Sequence, residues 1–187
     1  MGAAVGQVPE YVKMVVEFVK EASSIPVLVK LTPNVADVRF AARAAKQGGA
    51  DGVSLINTIN SIMGIDVETM VPKFAVQGKI AHGGYCGPAV KPIALNMVSQ
   101  IANDPQTLGM PISGIGGIGV WSDAVEFMLL GASSVQLCTA VMHHGFRIIE
   151  DLNAGLEGWM KRKGFARLDD FIGKTAPNVV EWKHLNL

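Results

Sequence analysis

Residues 113–124 read SGIGGIGVWSDA. Gly114, Gly116 and Gly119 stand in the spacing G-x-G-x-x-G, which in a Rossmann unit opens a helix beneath a dinucleotide pyrophosphate. In a chain with 21 glycines the spacing alone decides nothing, so the flanking sequence has to assign it. Upstream, PISGIG (111–116) has the length and apolar character of a buried strand. Downstream, GIGVWSD (117–123) reads as a loop, AVEFMLLG (124–131) as a helix and SSVQLCTA (133–140) as a second strand.

The same order occurs earlier in the chain. PVLVKL (26–31) reads as a buried strand ending near Lys30 and Leu31. VRFAARAAKQGG (38–49) reads as a helix closed by Gly48-Gly49, and GVSLIN (52–57) as the next buried strand. The two units overlay, with Pro26 on Pro111, Asp37 near Asp123, and GADGVSL (49–55) on GASSVQL (131–137). Right-handed crossovers make all four strands parallel and gather their C-terminal ends on one side. Those ends carry Lys30-Leu31-Thr32, Asn57-Thr58, Gly116-Gly117 and Cys138-Thr139. The expected fold class is α/β, a parallel (β/α) arrangement of TIM-barrel type, whose site sits on that rim.

Outside the repeat, PEYVKMVVEFVKEA (9–22) places Val12, Val15, Val16, Phe18 and Val19 on a helical stripe. Residues 58–87 separate the two units, far longer than the roughly 2–6 residues of an ordinary βα loop, and are read as a lid or pocket wall rather than a disordered insertion. Within them KFAVQGKIA (73–81) alternates as a small hairpin does around Gln77-Gly78, and HGGYCGP (82–88) leads to a helix entered at Pro92. FRIIEDLNAGLEGWMKRKG (146–164) reads as a long helix with Phe146, Ile149, Leu152, Leu156 and Trp159 on one side. The last 20 residues read as a short helix and irregular chain.

Composition narrows the functions. The 187 residues are 49% hydrophobic, enough for one sizeable core, and 16 basic residues balance 16 acidic ones. No field favours nucleic acid, and Lys161-Arg162-Lys163 reads as an exposed last helical turn before Gly164. No apolar run reaches the roughly 18 residues of a membrane span, so no membrane partner and a cytoplasmic location are expected. Cys86 and Cys138 match no disulfide or zinc spacing and are expected as free thiols, and no metal site is assigned. His82, His143, His144 and His184 share no ligand spacing and read as ordinary surface or helix-entry residues.

A Rossmann turn expects an acid about 20 residues on, at the end of the next strand, and QLCTA (136–140) has none. A barrel phosphate site fits better, in which backbone N–H groups of GIGG (114–117) and a short helix N-terminus bind the dianion and Thr139 adds a hydroxyl. Lys30, closing an apolar strand, either faces the pocket or reaches the rim. Asn57 and Thr58 either read a small polar ring or close a turn.

In order, VKLTPN (29–34), LINTINSIMG (55–64), HGGYCGPAVKPIAL (82–95), SGIGGI (113–118) and VQLCTA (135–140) strongly resemble the NAD-dependent dihydropyrimidine dehydrogenase catalytic subunits, a branch of the dihydroorotate-dehydrogenase-like flavin barrels. The resemblance implies an FMN-dependent barrel that interconverts uracil or thymine and their 5,6-dihydro forms. It implies that Lys30 contacts the flavin ring, that Asn57 and Thr58 hydrogen-bond the pyrimidine, and that Gly87 lines the flavin site. Gly116, Gly117, Cys138 and Thr139 then hold the phosphate end. The family's proton-donating cysteine matches neither Cys86 nor Cys138, so no catalytic residue is assigned and the isolated chain is expected to be inactive.

Four strands cannot close a barrel that needs eight and typically about 250 residues. The expectation is therefore about the second half of such a barrel, strands 5–8, as one partial domain over residues 1–187 with a tail at 164–187 packed on it. Its open apolar edge calls for an oligomer or a partner subunit, and iron–sulfur clusters and NAD are expected only in further regions or such a partner. The alternatives are a dihydroorotate dehydrogenase and a non-catalytic phosphate-binding half-barrel.

Overall fold

In the computed structural model, which describes residues 5–185, helix α1 (Pro9–Ala22), strand β1 (Leu28–Lys30), helix α2 (Val38–Gln47) and strand β2 (Gly52–Leu55) come first. An excursion follows with four short strands, β3 (Ile59–Ser61), β4 (Ile65–Asp66), β5 (Val71–Pro72) and β6 (Gly83–Tyr85). The chain then forms α3 (Lys91–Ala102), β7 (Ile112–Ile115), α4 (Trp121–Leu129), β8 (Ser134–Gln136), α5 (Thr139–His144) and α6 (Ile148–Lys163).

The two repeat units share one parallel sheet in the order β1-β2-β7-β8. Each crossover advances the sheet in the same direction, so α2, α3 and α4 cover one face. This is a four-stranded parallel α/β arrangement compatible with part of a TIM barrel. The helix-side core is built from small alanines of α2, Val53 and Leu55 of β2, Val98 and Ile101 of α3, and Phe127 of α4. Asp37 caps α2 by accepting from the Arg39 N–H, and its repeat counterpart Asp123 accepts from the Gly119 and Val120 N–H groups ahead of α4. An aspartate thus satisfies N–H groups at the start of both helices, from the N-cap position in α2 and from the first turn in α4.

Several expectations need correction. β1 is an exposed edge strand rather than a buried one, with Leu28 51% exposed, because β2 is its only neighbour among the described residues. On α1 only Val12 and Val16 are buried, while Val15, Phe18 and Val19 lie open, so the helix packs on α2 by one narrow line. SSVQLCTA does not run as one strand: β8 stops at Gln136 and Thr139 begins α5. α4 begins at Trp121, three residues before the expected start at Ala124.

On α6 the buried residues are Ile148 and Leu152, and Phe146 lies outside the helix and exposed. The left-handed Gly164 ends α6 after the exposed Lys161-Arg162-Lys163 turn. In place of a short terminal helix the tail makes 3-10 turns at Leu168–Asp170, Ala176–Asn178 and Trp182–His184. Buried Phe171 stacks among Trp159 and Phe165, and the N–H groups of Gly173 and Thr175 donate to the carbonyls of Met128 and Leu129 at the end of α4. Gln77 and Gly78, both at positive φ, turn the chain between Val76 and Lys79, as the expected hairpin requires.

Candidate functional site

Strand register sets the inner face. Lys30 lies beside Ser54, Ser54 beside Ser113, and Ser113 beside Ser134. Gly114, one residue on from Ser113, abuts the Phe127 ring of α4, so the serine row faces away from the helices. Barrel interiors are dominated by branched apolar residues, whereas this row is polar. Gln136 Nε2 donates to the hydroxyls of Ser54 and Ser113 at 2.9 Å each, and the Ser134 hydroxyl donates to that of Ser113 at 2.9 Å. One amide thereby ties three strands beneath the rim, and Lys30 stands exposed at the end of the row.

The loop after β7 is shaped by close backbone approach. Gly117 has φ +76°, and a Cβ there meets the Gly87 carbonyl oxygen at 2.8 Å and Lys91 Cβ at 2.9 Å. The glycine loop therefore rests on the turn that leads into α3. Lys91 of α3 holds the far side, with Nζ 2.6 Å from Asp123 Oδ1 and 2.8 Å from Glu126 Oε2. Burial alone pushes the Asp123 carboxyl up, but the Lys91 ammonium and the amides of Gly119 and Val120 outweigh it and hold the carboxyl below its usual range.

That arrangement predicts a pH dependence. A lowered folded-state value means that the stabilising contribution is present above the ordinary aspartate range, near pH 4, and fades as pH falls below it. Asp123→Asn should therefore be less stable than the parent at pH 7, and the gap should close in urea titrations carried below about pH 4. A gap independent of pH would mean that the carboxylate charge contributes nothing.

The excursion supplies the opposite wall. Antiparallel β3 and β6 bring Tyr85 and Cys86 back beside Thr58, whose side chain packs against Gly84. Asn57 Oδ1 accepts from the Thr58 N–H at 2.9 Å, and among the described residues neither Asn57 Nδ2 nor the Thr58 hydroxyl has a protein partner. Thr139, the first residue of α5, donates its hydroxyl to Cys86 Sγ at 3.3 Å. Cys86 and Cys138 are both free and exposed.

Together these parts enclose a cleft of about 810 Å³, counting the volume open to solvent, at the C-terminal ends of the four parallel strands. Lys30, Asn57 and Thr58 line it from β1 and β2, and Gly87 lines it from the end of the excursion. Gly116, Gly117, Cys138 and Thr139 line it from β7 and β8, so all eight residues singled out in the sequence meet there. The structure adds Tyr85, Cys86 and Gln136. All four histidines are exposed; His143 and His144 also line the cleft from α5, whereas His82 and His184 do not. Alternation from Ser134 was the available signal for Gln136, whereas nothing local marks Tyr85, which the course of the excursion delivers.

No group of three or more His, Cys, Asp or Glu side chains is placed to hold a metal among the described residues, and no helix there is long and apolar enough to cross a membrane.

Comparison with known proteins assigns this architecture. The family described as Dihydroorotate dehydrogenase matches residues 1–160. The chain belongs to that family. It is 45% identical over 186 residues to the NAD-dependent dihydropyrimidine dehydrogenase subunit PreA of Escherichia coli (strain K12), covering 100% of this chain and 45% of that protein. It is 44% identical over 172 residues to the dihydroorotate dehydrogenase B (NAD(+)) catalytic subunit of Thermococcus kodakarensis, covering 92% of this chain and 54% of that one. With the chloroplastic dihydropyrimidine dehydrogenase (NADP(+)) of Arabidopsis thaliana it shares 41% identity over 178 residues, 94% of this chain and 42% of the relative. The chain thus spans about half the length of the curated relatives it matches. By name all three are dehydrogenases of a dihydropyrimidine-type ring, which makes this an oxidoreductase family of pyrimidine metabolism.

Proposed function

We propose that this chain carries the FMN-binding and pyrimidine-reading half of an oxidoreductase that interconverts uracil or thymine and their 5,6-dihydro forms in pyrimidine degradation. The observation that carries the reading is the single cleft at the strand ends in which all eight expected residues meet. Its residues suit FMN. Gly116 and Gly117 present bare backbone at positive φ, and Thr139 adds a hydroxyl, as a phosphate end requires. Ile56, Ile115 and Leu137 offer apolar cover for a flat ring, and Lys30 places a cation at the ring's edge.

Bound FMN supplies the two-electron chemistry. The chain's residues bind and orient: Asn57 Nδ2 donates to a ring carbonyl while the Thr58 hydroxyl fixes the ring's rotation. Cys138 contributes backbone beside Thr139, and Gly87 lets the α3 turn approach the flavin. In this reading the sheet is strands 5–8 of an eight-stranded barrel, residues 1–187 form one partial domain with the tail at 164–187, and the location is the cytoplasm. Iron–sulfur clusters and NAD belong to further regions or to a partner subunit, and the word "subunit" in the name of the Escherichia coli relative favours such a partner.

The test is flavin uptake. FMN added to the protein should acquire a protein-perturbed absorption spectrum, and uracil or thymine should shift it further. Lys30→Ala should weaken FMN binding about tenfold, equivalent to about 1.4 kcal/mol, by removing a charge-assisted contact. No uptake by the parent defeats the reading, and unchanged affinity in Lys30→Ala places the lysine at the rim. The 44% identity to a dihydroorotate dehydrogenase B catalytic subunit supports a second reading, in which orotate, and not uracil, shifts the spectrum.

A further inference from the structure

Asn34, in the loop after β1, lines no part of the cleft, yet its side chain reaches across to the segment that does. Its Nδ2 donates to the Thr58 carbonyl at 3.0 Å and to Thr32 Oγ1 at 3.1 Å, and its Oδ1 accepts from the Asn60 N–H at 2.9 Å. The Asn34 N–H donates to the same Thr32 hydroxyl at 3.2 Å, and the Asn34 carbonyl accepts from Gln7 Nε2 at 2.9 Å. Thr32 is buried.

The pattern has a structural meaning. In a parallel ladder one residue donates to the carbonyl before its partner and accepts from the N–H after it. The Asn34 side-chain amide does this around Ile59, donating to the Thr58 carbonyl and accepting from the Asn60 N–H. It continues the β1–β2 pairing past the last backbone bond between the strand ends, from the Asn57 N–H to the Leu31 carbonyl. Asn57 and Thr58 are exposed loop residues, and fixing the backbone of each costs conformational entropy. Asn34 bears on that ordering at the carbonyl of one of them and at the amide two residues later.

We propose that Asn34 is a positioning residue that orders the pair Asn57-Thr58, so that it governs pyrimidine affinity and leaves cofactor uptake alone. This rests on the reading that Asn57 and Thr58 contact the pyrimidine. Asn34 stands apart from the phosphate loop, whose anchors are Gly87, Lys91 and Asp123.

Two measurements test it. Amide hydrogen exchange on the protein without added ligand should be at least tenfold faster at residues 57–60 in Asn34→Ala, with no change in β7 and β8. Asn34→Asp keeps the acceptor for the Asn60 N–H but loses the donor to the Thr58 carbonyl, and should fall between parent and alanine. With FMN bound, Asn34→Ala should raise the uracil dissociation constant at least tenfold, read from the flavin spectrum, while the FMN dissociation constant stays within twofold. Unchanged exchange at 57–60 overturns the proposal, as does an equal loss of FMN and uracil affinity. Asn57→Ala separates the underlying reading: if it leaves uracil affinity intact, that pair does not read the pyrimidine, whatever Asn34 does to the loop.

Discussion

Replacing Phe127 by alanine should lower the unfolding free energy by about 3–5 kcal/mol, the range for removing a fully buried phenyl ring. For a chain of this size that corresponds to a fall in Tm of roughly 10 °C. Phe127 is 0% exposed and sits between α4 and β7, where its ring edge lies 2.5 Å from the position of a Cβ built on Gly114. The ring occupies the space that the missing side chain leaves, so the two positions are one packing unit. Gly114→Ala should therefore destabilise the parent, since the new methyl collides with the ring, and should be neutral or stabilising in the Phe127→Ala background. A double-mutant cycle read by thermal unfolding checks this, and additive effects would show that ring and glycine are independent.

That pairing marks the limit of the sequence reading. Strand, glycine loop, helix and strand could be read from PISGIG and AVEFMLLG because apolar runs and small-residue helices carry their own period. Parallel topology then forces strand ends together, which is why Lys30, Asn57, Gly116 and Thr139 were recognisable as one group. Side-chain direction was harder. Ser54, Ser113 and Gln136 look like ordinary strand residues until register puts them on one inner face.

Burial is not legible in sequence where it depends on a neighbour in the sheet. PVLVKL has a core strand's composition, but an edge strand with one partner leaves Leu28 exposed, and the apolar residues Tyr11, Phe18 and Val19 of α1 lie open. No element within residues 5–185 covers that surface. The cleft wall formed by Tyr85 and the histidines of α5 was illegible for another reason: it is set by how the 58–87 excursion folds back and where β8 gives way to α5, both matters of tertiary course.

Gly117→Val should abolish measurable FMN uptake, with at least a hundredfold loss of affinity, equivalent to about 2.7 kcal/mol. Two effects act at the same atom. The backbone φ of +76° is the left-handed region, where a β-branched residue is strained by about 1–3 kcal/mol. The added Cβ also meets the Gly87 carbonyl oxygen at 2.8 Å, Lys91 Cβ at 2.9 Å and the Lys91 nitrogen at 3.1 Å, which are backbone atoms or the first side-chain carbon and cannot swing aside. The loop must lift from the α3 turn, carrying Gly116 and the proposed phosphate-facing N–H groups with it. Gly164→Ala separates the two effects. Gly164 has φ +73° with nothing within 4 Å of a built Cβ, so the alanine suffers the strain without the collision, at the end of α6. It should lose about 1 kcal/mol of stability and bind FMN as the parent does. If Gly117→Val binds FMN normally, the phosphate lies elsewhere; if Gly164→Ala loses FMN as well, the loss reports global destabilisation and not the cleft.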